Sequence, residues 1–196
     1  MSKNGRLYLK VKDSTEVLPP PPAPERPEKI QYMVLEITAD ELARVMTLLD
    51  YELFSRIDPL EFYYSIFKSK NKNISNLNTF VNRFNEINMW VITEICNKDN
   101  LHKRFYTIKK FIDVASLLVM LKNFNSAFAI LSGLGNVAVT RMAQTWKKLN
   151  VASVQEFERL QMLMDPSRNM RKYRTTVLGS QAPLIPFFRE IATLSS

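Results

Sequence analysis

Apolar residues return every three or four positions through most of this chain, and that spacing predicts helices rather than strands. Thr38-Ala39-Asp40-Glu41 opens the first helix as a capping box. Thr38 accepts from the backbone N–H of Glu41, and Glu41 reaches back to that of Thr38. Behind it Leu42, Val45, Met46, Leu49 and Leu53 form one stripe. Asp58-Pro59 joins an N-cap to a proline at the first helical position, where the missing N–H is not needed, and starts a segment through Phe67. Leu77, Phe80, Val81, Phe84, Ile87, Val91 and Ile95 mark a long amphipathic helix, and Leu101, Phe105, Ile108, Ile112, Ala115 and Val119 mark the next. That next helix carries a second apolar face, Phe111, Val114, Leu117, Leu118 and Leu121, so it is expected at the centre of the protein.

Further starts follow. Asn125 is read as the cap of a helix through Ser132, and residues 141–149 read as helical. Ser153-Val154-Gln155-Glu156 reads as a second capping box leading to Met164, and Asp165-Pro166 begins a helix to about Leu178, with Gly179 as its stop. The fold class is an all-α, multi-helix bundle.

Proline divides the chain. Six of the ten prolines lie between Pro19 and Pro27, whereas 37–179 holds only Pro59 and Pro166. Residues 1–30 are a proline-rich tail or linker, extended as polyproline II, and 31–196 are the helical domain. Pro19 and Pro22 form a P-x-x-P, the ligand of an SH3 or WW domain, but a plain linker is the favoured reading.

Composition then removes function classes. One histidine, His102, and one cysteine, Cys96, leave no Cys/His metal set within the chain and no internal disulfide. None of the four glycines is followed by lysine, so there is no Walker-type phosphate loop. Gly133-Leu134-Gly135-Asn136-Val137-Ala138 fits G-x-G-x-x-A, but it follows a helix instead of a strand and reads as a helix end and turn. His102 has no candidate partner and reads as a surface residue; Cys96 reads as a buried or half-buried structural thiol. The expectation is therefore no catalytic residue, no cofactor and no metal.

Charge points to an acidic partner. Twenty-seven Lys and Arg against 19 Asp and Glu give +8. Two basic clusters stand out, Lys98 to Lys110 and Asp165 to Arg174, each read first as a solvated helix face. Exposed aromatics are not interleaved with them, so nucleic acid is not expected. A basic helical adaptor for anionic lipid or nucleic acid, with an SH3-binding tail, is the reading that charge alone leaves standing.

Ordered blocks add more. Ile57-Asp58-Pro59-Leu60-Glu61-Phe62 is similar to I-x-P-x-E-[LF]. Asn85, Met89-Trp90-Val91 and Glu94-Ile95 resemble F-N-x-x-x-x-W-V-x-x-E-I. Arg104, Lys109-Lys110-Phe111-Ile112 and Ala115 resemble R-x-x-x-x-x-K-F-I-x-x-A. Asn123-Phe124-Asn125, Ala129-Ile130, Ser132 and Leu134 resemble N-[FY]-N-x-x-x-A-I-x-S-x-L, with Arg141 and Thr145-Trp146 after them. Pro183 to Phe188 resembles P-C-[IV]-P-[FY]-[FL]. Together, over about Leu35 to Thr193, these blocks resemble the catalytic domain of Ras-family guanine-nucleotide exchange factors, the Son-of-sevenless type.

The resemblance implies a cytoplasmic all-α domain, recruited to the membrane, that binds a Ras-like small GTPase and performs no covalent chemistry. Binding the nucleotide-free GTPase more tightly than the loaded one promotes GDP release by linkage. It also implies a contact surface for the GTPase switch II at Val81, Phe128, Ser132, Asn136, Asn169, Met170, Phe187 and Thr193. Val81 and Phe128 stand where the family usually has Ile and Leu, and Met170 where it often has an aromatic. Arg141, Arg104, Asn123, Asn125, Trp90 and Trp146 are implied to be scaffold. Arg189 replaces an expected glycine, and the family's helical hairpin and final helices have no counterpart before Ser196. The expectation is thus a C-terminally truncated domain whose exchange is weak or absent. Peripheral contact with an anionic membrane is a further expected partner interaction.

Overall fold

The computed structural model describes residues 33–67 and 74–188, and every regular element among them is a helix. The proline-rich stretch and Thr193 lie outside the described residues. A short α1 (Met33–Glu36) is followed by α2 (Ala39–Ser55), α3 (Pro59–Ile66), α4 (Ser75–Cys96) and α5 (Leu101–Met120). After these come α6 (Phe124–Leu134), α7 (Val137–Thr140), α8 (Ala143–Trp146), α9 (Val151–Leu163) and α10 (Ser167–Leu178).

Both early caps form as the sequence predicts. Thr38 and Glu41 exchange side chain–backbone bonds at 3.2 and 3.0 Å, and Asp58 and Glu61 do the same at the start of α3. Three later starts differ. The cap of α6 is Asn123, whose Oδ1 accepts from the Ser126 N–H at 3.1 Å, while Asn125 is buried in the first turn. The cap of α9 is Asn150, accepting from the Ser153 N–H at 2.8 Å. Glu156, the expected return half of a box there, instead accepts from Ser116 and Arg159. Residues 141–149 hold only the one-turn helix α8, because Arg141 ends α7.

α5 and α6 form the centre. Ile108, Phe111, Ile112, Val114, Ala115 and Leu118 of α5 are fully buried, and α1, α2, α4, α6, α8 and α9 all touch this helix. Ten of the 11 residues of α6 are buried, and the exception is Ser132. α4 packs along α6 so closely that a Cβ on Gly133 would lie 2.8 Å from the Val91 Cβ and 3.0 Å from the Asn88 carbonyl oxygen. Glycine at 133 is there for that approach, not for a nucleotide.

The turn from α5 to α6 sets up the rest. Lys122 takes a left-handed φ of 59°, the Asn123 N–H reaches back to the Leu118 carbonyl and the Lys122 N–H to that of Val119. This double bond pattern ends the helix and satisfies its last carbonyls. The freed Lys122 carbonyl then accepts from Ile185, and Ile185 accepts from Phe124, both at 2.9 Å. A strap of residues 181–188 is thereby laid across the start of α6.

Candidate functional site

Ser132 is where the buried α6 reaches the surface, and its hydroxyl accepts from the Asn88 side-chain amide of α4 at 2.8 Å. One turn earlier on the same face of α6 stands Phe128. It is fully buried, with Phe187 5.0 Å and Tyr173 5.1 Å away between ring centroids. Phe187 also meets Phe84 of α4 at 5.4 Å. The strap, α4, α6 and α10 therefore converge on one aromatic cluster, with rings mostly tilted or edge-on as their quadrupoles favour.

Phe187 is held by more than packing. Its backbone N–H donates to the Tyr173 hydroxyl at 2.8 Å, which fixes the end of the strap to α10. The other end is fixed through Asn123. The Asn123 amide donates to Asp50 at 2.8 Å, and the Ser126 hydroxyl donates to the same carboxylate oxygen. Arg83 of α4 donates to the second oxygen at 3.3 Å. Asp50 is fully buried, so the charge is tolerated only because all three donors surround it. One carboxylate thus ties α2, α4 and α6 together directly beneath the strap.

Around this cluster the residues singled out from the sequence take different positions. Val81 is half-buried on α4, three residues before Phe84, and lies on the Val81–Phe84–Asn88 face. Phe128 and Phe187 belong to the core, the latter only 8% exposed, so they underlie the surface and do not project from it. Asn136 is exposed at the far end of α6, where its Oδ1 accepts from the Ala138 N–H at 2.9 Å as the cap of α7. Asn169 and Met170 sit in an unusual turn. Arg168, Asn169 and Met170 have φ of 52°, 55° and 50°, so the regular right-handed part of α10 begins only after them. Three successive left-handed residues with side chains are costly, about 1–2 kcal/mol each. The turn buries part of Met170 against the core and leaves Asn169 exposed. Asp165 caps this turn through the Ser167 N–H at 2.9 Å, and that bond, with the Ser167 hydroxyl, holds its carboxyl below the usual range.

Most of the expected scaffold is visible as such. The Arg104 guanidinium donates to the Lys98 carbonyl at 2.7 and 3.1 Å, the Trp146 indole to the Val139 carbonyl at 3.0 Å, and Trp90 stands edge-on to Phe111. Arg141 is exposed and contributes through its backbone. Cys96, expected buried or half-buried, is exposed, because it falls in the last turn of α4 beyond the stripe ending at Ile95.

The arrangement can be compared with known proteins. The pattern of the RasGEF domain matches residues 41–194. The chain belongs to the RasGEF domain family. A Rap guanine nucleotide exchange factor from Caenorhabditis elegans is 39% identical over 94% of this chain and 13% of its own length. The human Rap guanine nucleotide exchange factor 6 is 39% identical over 94% of this chain and 12% of its own. The Ras guanine nucleotide exchange factor M of Dictyostelium discoideum is 32% identical over 78% of this chain and 17% of its own. The chain thus spans well under a quarter of the length of these three relatives. Nothing in these likenesses supports the basic-adaptor reading.

Several residues that organise this RasGEF domain escaped the sequence reading. Asp50 is a single acid in an amphipathic stripe and carries no local mark of burial. Asn88 and Tyr173 act across 44 and 14 residues of chain, beyond any spacing rule.

Proposed function

We propose that this RasGEF domain binds a Ras-like small GTPase through the face formed by α4, the exposed end of α6, the left-handed turn and the strap, and promotes GDP release. Residues 31–196 are the domain and 1–30 its linker. The observation that carries the reading is the RasGEF match over 41–194; it is supported by the aromatic cluster in which Phe187 of the strap meets Phe84 of α4 and Phe128 of α6, one turn before Ser132. Phe128 and Phe187 support this face from beneath, while Val81, Ser132, Asn136 and Asn169 offer contact at its surface. Thr193 completes the set as a further contact.

The mechanism needs no covalent step. A surface that fits the nucleotide-free GTPase better than the loaded form lowers nucleotide affinity by the same factor. The cluster serves this because its shape is fixed beforehand by Tyr173 and Asp50, so little ordering cost falls on binding. Rap-type GTPases are the first partners to try, given the names of the relatives, and the setting is the cytoplasm with recruitment to the membrane.

The test is release of fluorescent GDP from Rap- and Ras-type GTPases, together with retention of their nucleotide-free and GDP-loaded forms. The expected result is preferential retention of the nucleotide-free form over the GDP-loaded form. Equal retention of both forms, or none, contradicts the reading.

A further inference from the structure

The basic cluster on α10 is more than a solvated face. Ser167, Arg168, Arg171, Lys172, Thr175 and Thr176 line one groove of about 630 Å³. Arg171 and Thr175, like Lys172 and Thr176, are four residues apart and share a helix face; the left-handed turn places Arg168 beside them. Among the described residues no carboxylate lies within ion-pair distance of Arg168, Arg171 or Lys172. Asp165, the acid nearest in sequence, is engaged by Ser167 and feels the Lys172 charge only weakly. Three cations and neighbouring hydroxyls without an acid among them form a lining suited to a multiply charged phosphate.

One more residue selects the source of that phosphate. Leu178 stands seven residues beyond Arg171, on the same face, and is 86% exposed. A large apolar side chain pointing into solvent at the end of a basic helix face is the pattern of a helix resting on a membrane, cations at the headgroups and the apolar residue below them. A free phosphate gives Leu178 no role.

We propose that this groove binds the phosphomonoester headgroup of an anionic membrane lipid, with Leu178 entering the boundary of the acyl chains. The site uses none of the residues of the aromatic cluster and shares with the proposed GTPase face only the left-handed turn, through Arg168. It would hold the domain on a bilayer by its α10 side.

The experiment is co-sedimentation of the 196-residue chain with phosphatidylcholine vesicles carrying phosphatidylinositol bisphosphate, set against vesicles matched in charge with phosphatidylserine. Stronger retention on the phosphoinositide vesicles is expected. Replacing Arg171→Ala and Lys172→Ala together should weaken it about 30-fold, a factor near five for each cation. The pair Lys147→Ala and Lys148→Ala, exposed elsewhere, should leave it nearly unchanged. Leu178→Ser should weaken vesicle retention while leaving binding of soluble inositol trisphosphate intact. The proposal is overturned by equal retention on the charge-matched vesicles or by an unaltered Arg171/Lys172 variant with native circular dichroism. Equal loss in the Lys147/Lys148 variant, or binding of the soluble headgroup without vesicle retention, overturns it as well. Displacement by RNA as effective as by the soluble headgroup would place the groove with general polyanion binding and would also overturn it.

Discussion

Gly133 shows how much one residue holds at the contact of α4 with α6. A methyl group there would meet the Val91 side chain at 2.8–2.9 Å and the Asn88 backbone at 3.0 Å. Gly133→Ala should destabilise the protein by about 1–3 kcal/mol, the usual effect of overpacking a core. A lowered urea midpoint checks this, and the cost should be somewhat smaller in a Val91→Ala background, since losing Cγ1 relieves one of the three close contacts while the Cβ contact at 2.8 Å remains. Tyr173 is a subtler case. Tyr173→Phe keeps the rings packed but leaves the buried Phe187 N–H without its acceptor, at a cost of about 1–3 kcal/mol. Helix content by circular dichroism should be unchanged while protection of the Phe187 amide from hydrogen exchange falls.

At the scale of elements, the joints between helices are polar and buried. Asp50→Ala removes the acceptor shared by the Asn123 amide and the Ser126 hydroxyl, each left unpaired at about 1–3 kcal/mol. The thermal midpoint should fall accordingly, and Asp50→Asn, which keeps one acceptor oxygen, should fall less. Glu61 makes the corresponding joint between α3 and α4. Burial alone would raise its pKa, but the Leu77 N–H at 2.9 Å, the Asn76 amide at 2.8 Å and the Asp58 N–H hold it below the ordinary 4.5. The folded state therefore favours the ionised form. Its contribution to stability is present above pH 4.5 and is lost as pH falls through the depressed value. Stability measured across that acid range should drop less steeply in Glu61→Gln.

The same scale explains what the sequence made legible. Stripes at three and four residues mark α2, α4 and α5, and the box at Thr38 and the cap-then-proline at Asp58-Pro59 mark two helix starts to the residue, because those signals are local. The caps at Asn123 and Asn150 are not legible, because Asn125 and Ser153, two and three residues on, carry the same chemistry. The left-handed turn at 168–170 is not legible, because Asp165-Pro166 announces a helix and nothing nearby, such as a glycine, announces its interruption. Ser132, Phe187 and Met170 were reached through family resemblance, whereas Tyr173 and Asp50, which hold them in place, act over contacts that no period encodes.

For the molecule as a whole, this RasGEF domain would work by presenting a shaped, pre-fixed face to a GTPase. The two variants that the cluster itself suggests, Phe128→Ala and Phe187→Ala, would open core cavities at about 3–5 kcal/mol and confuse binding with folding. Val81 avoids this. It is half-buried, lies on the Phe84–Asn88 face of α4, and stands outside the side chains packed against the two cores. The decisive measurement is the affinity of the 196-residue chain for a nucleotide-free Rap-type GTPase, wild type beside Val81→Asp, with thermal unfolding of each. The account predicts an affinity loss of about tenfold or more, which is about 1.4 kcal/mol, with an unchanged unfolding temperature. An unchanged affinity in a normally folded Val81→Asp protein would contradict it.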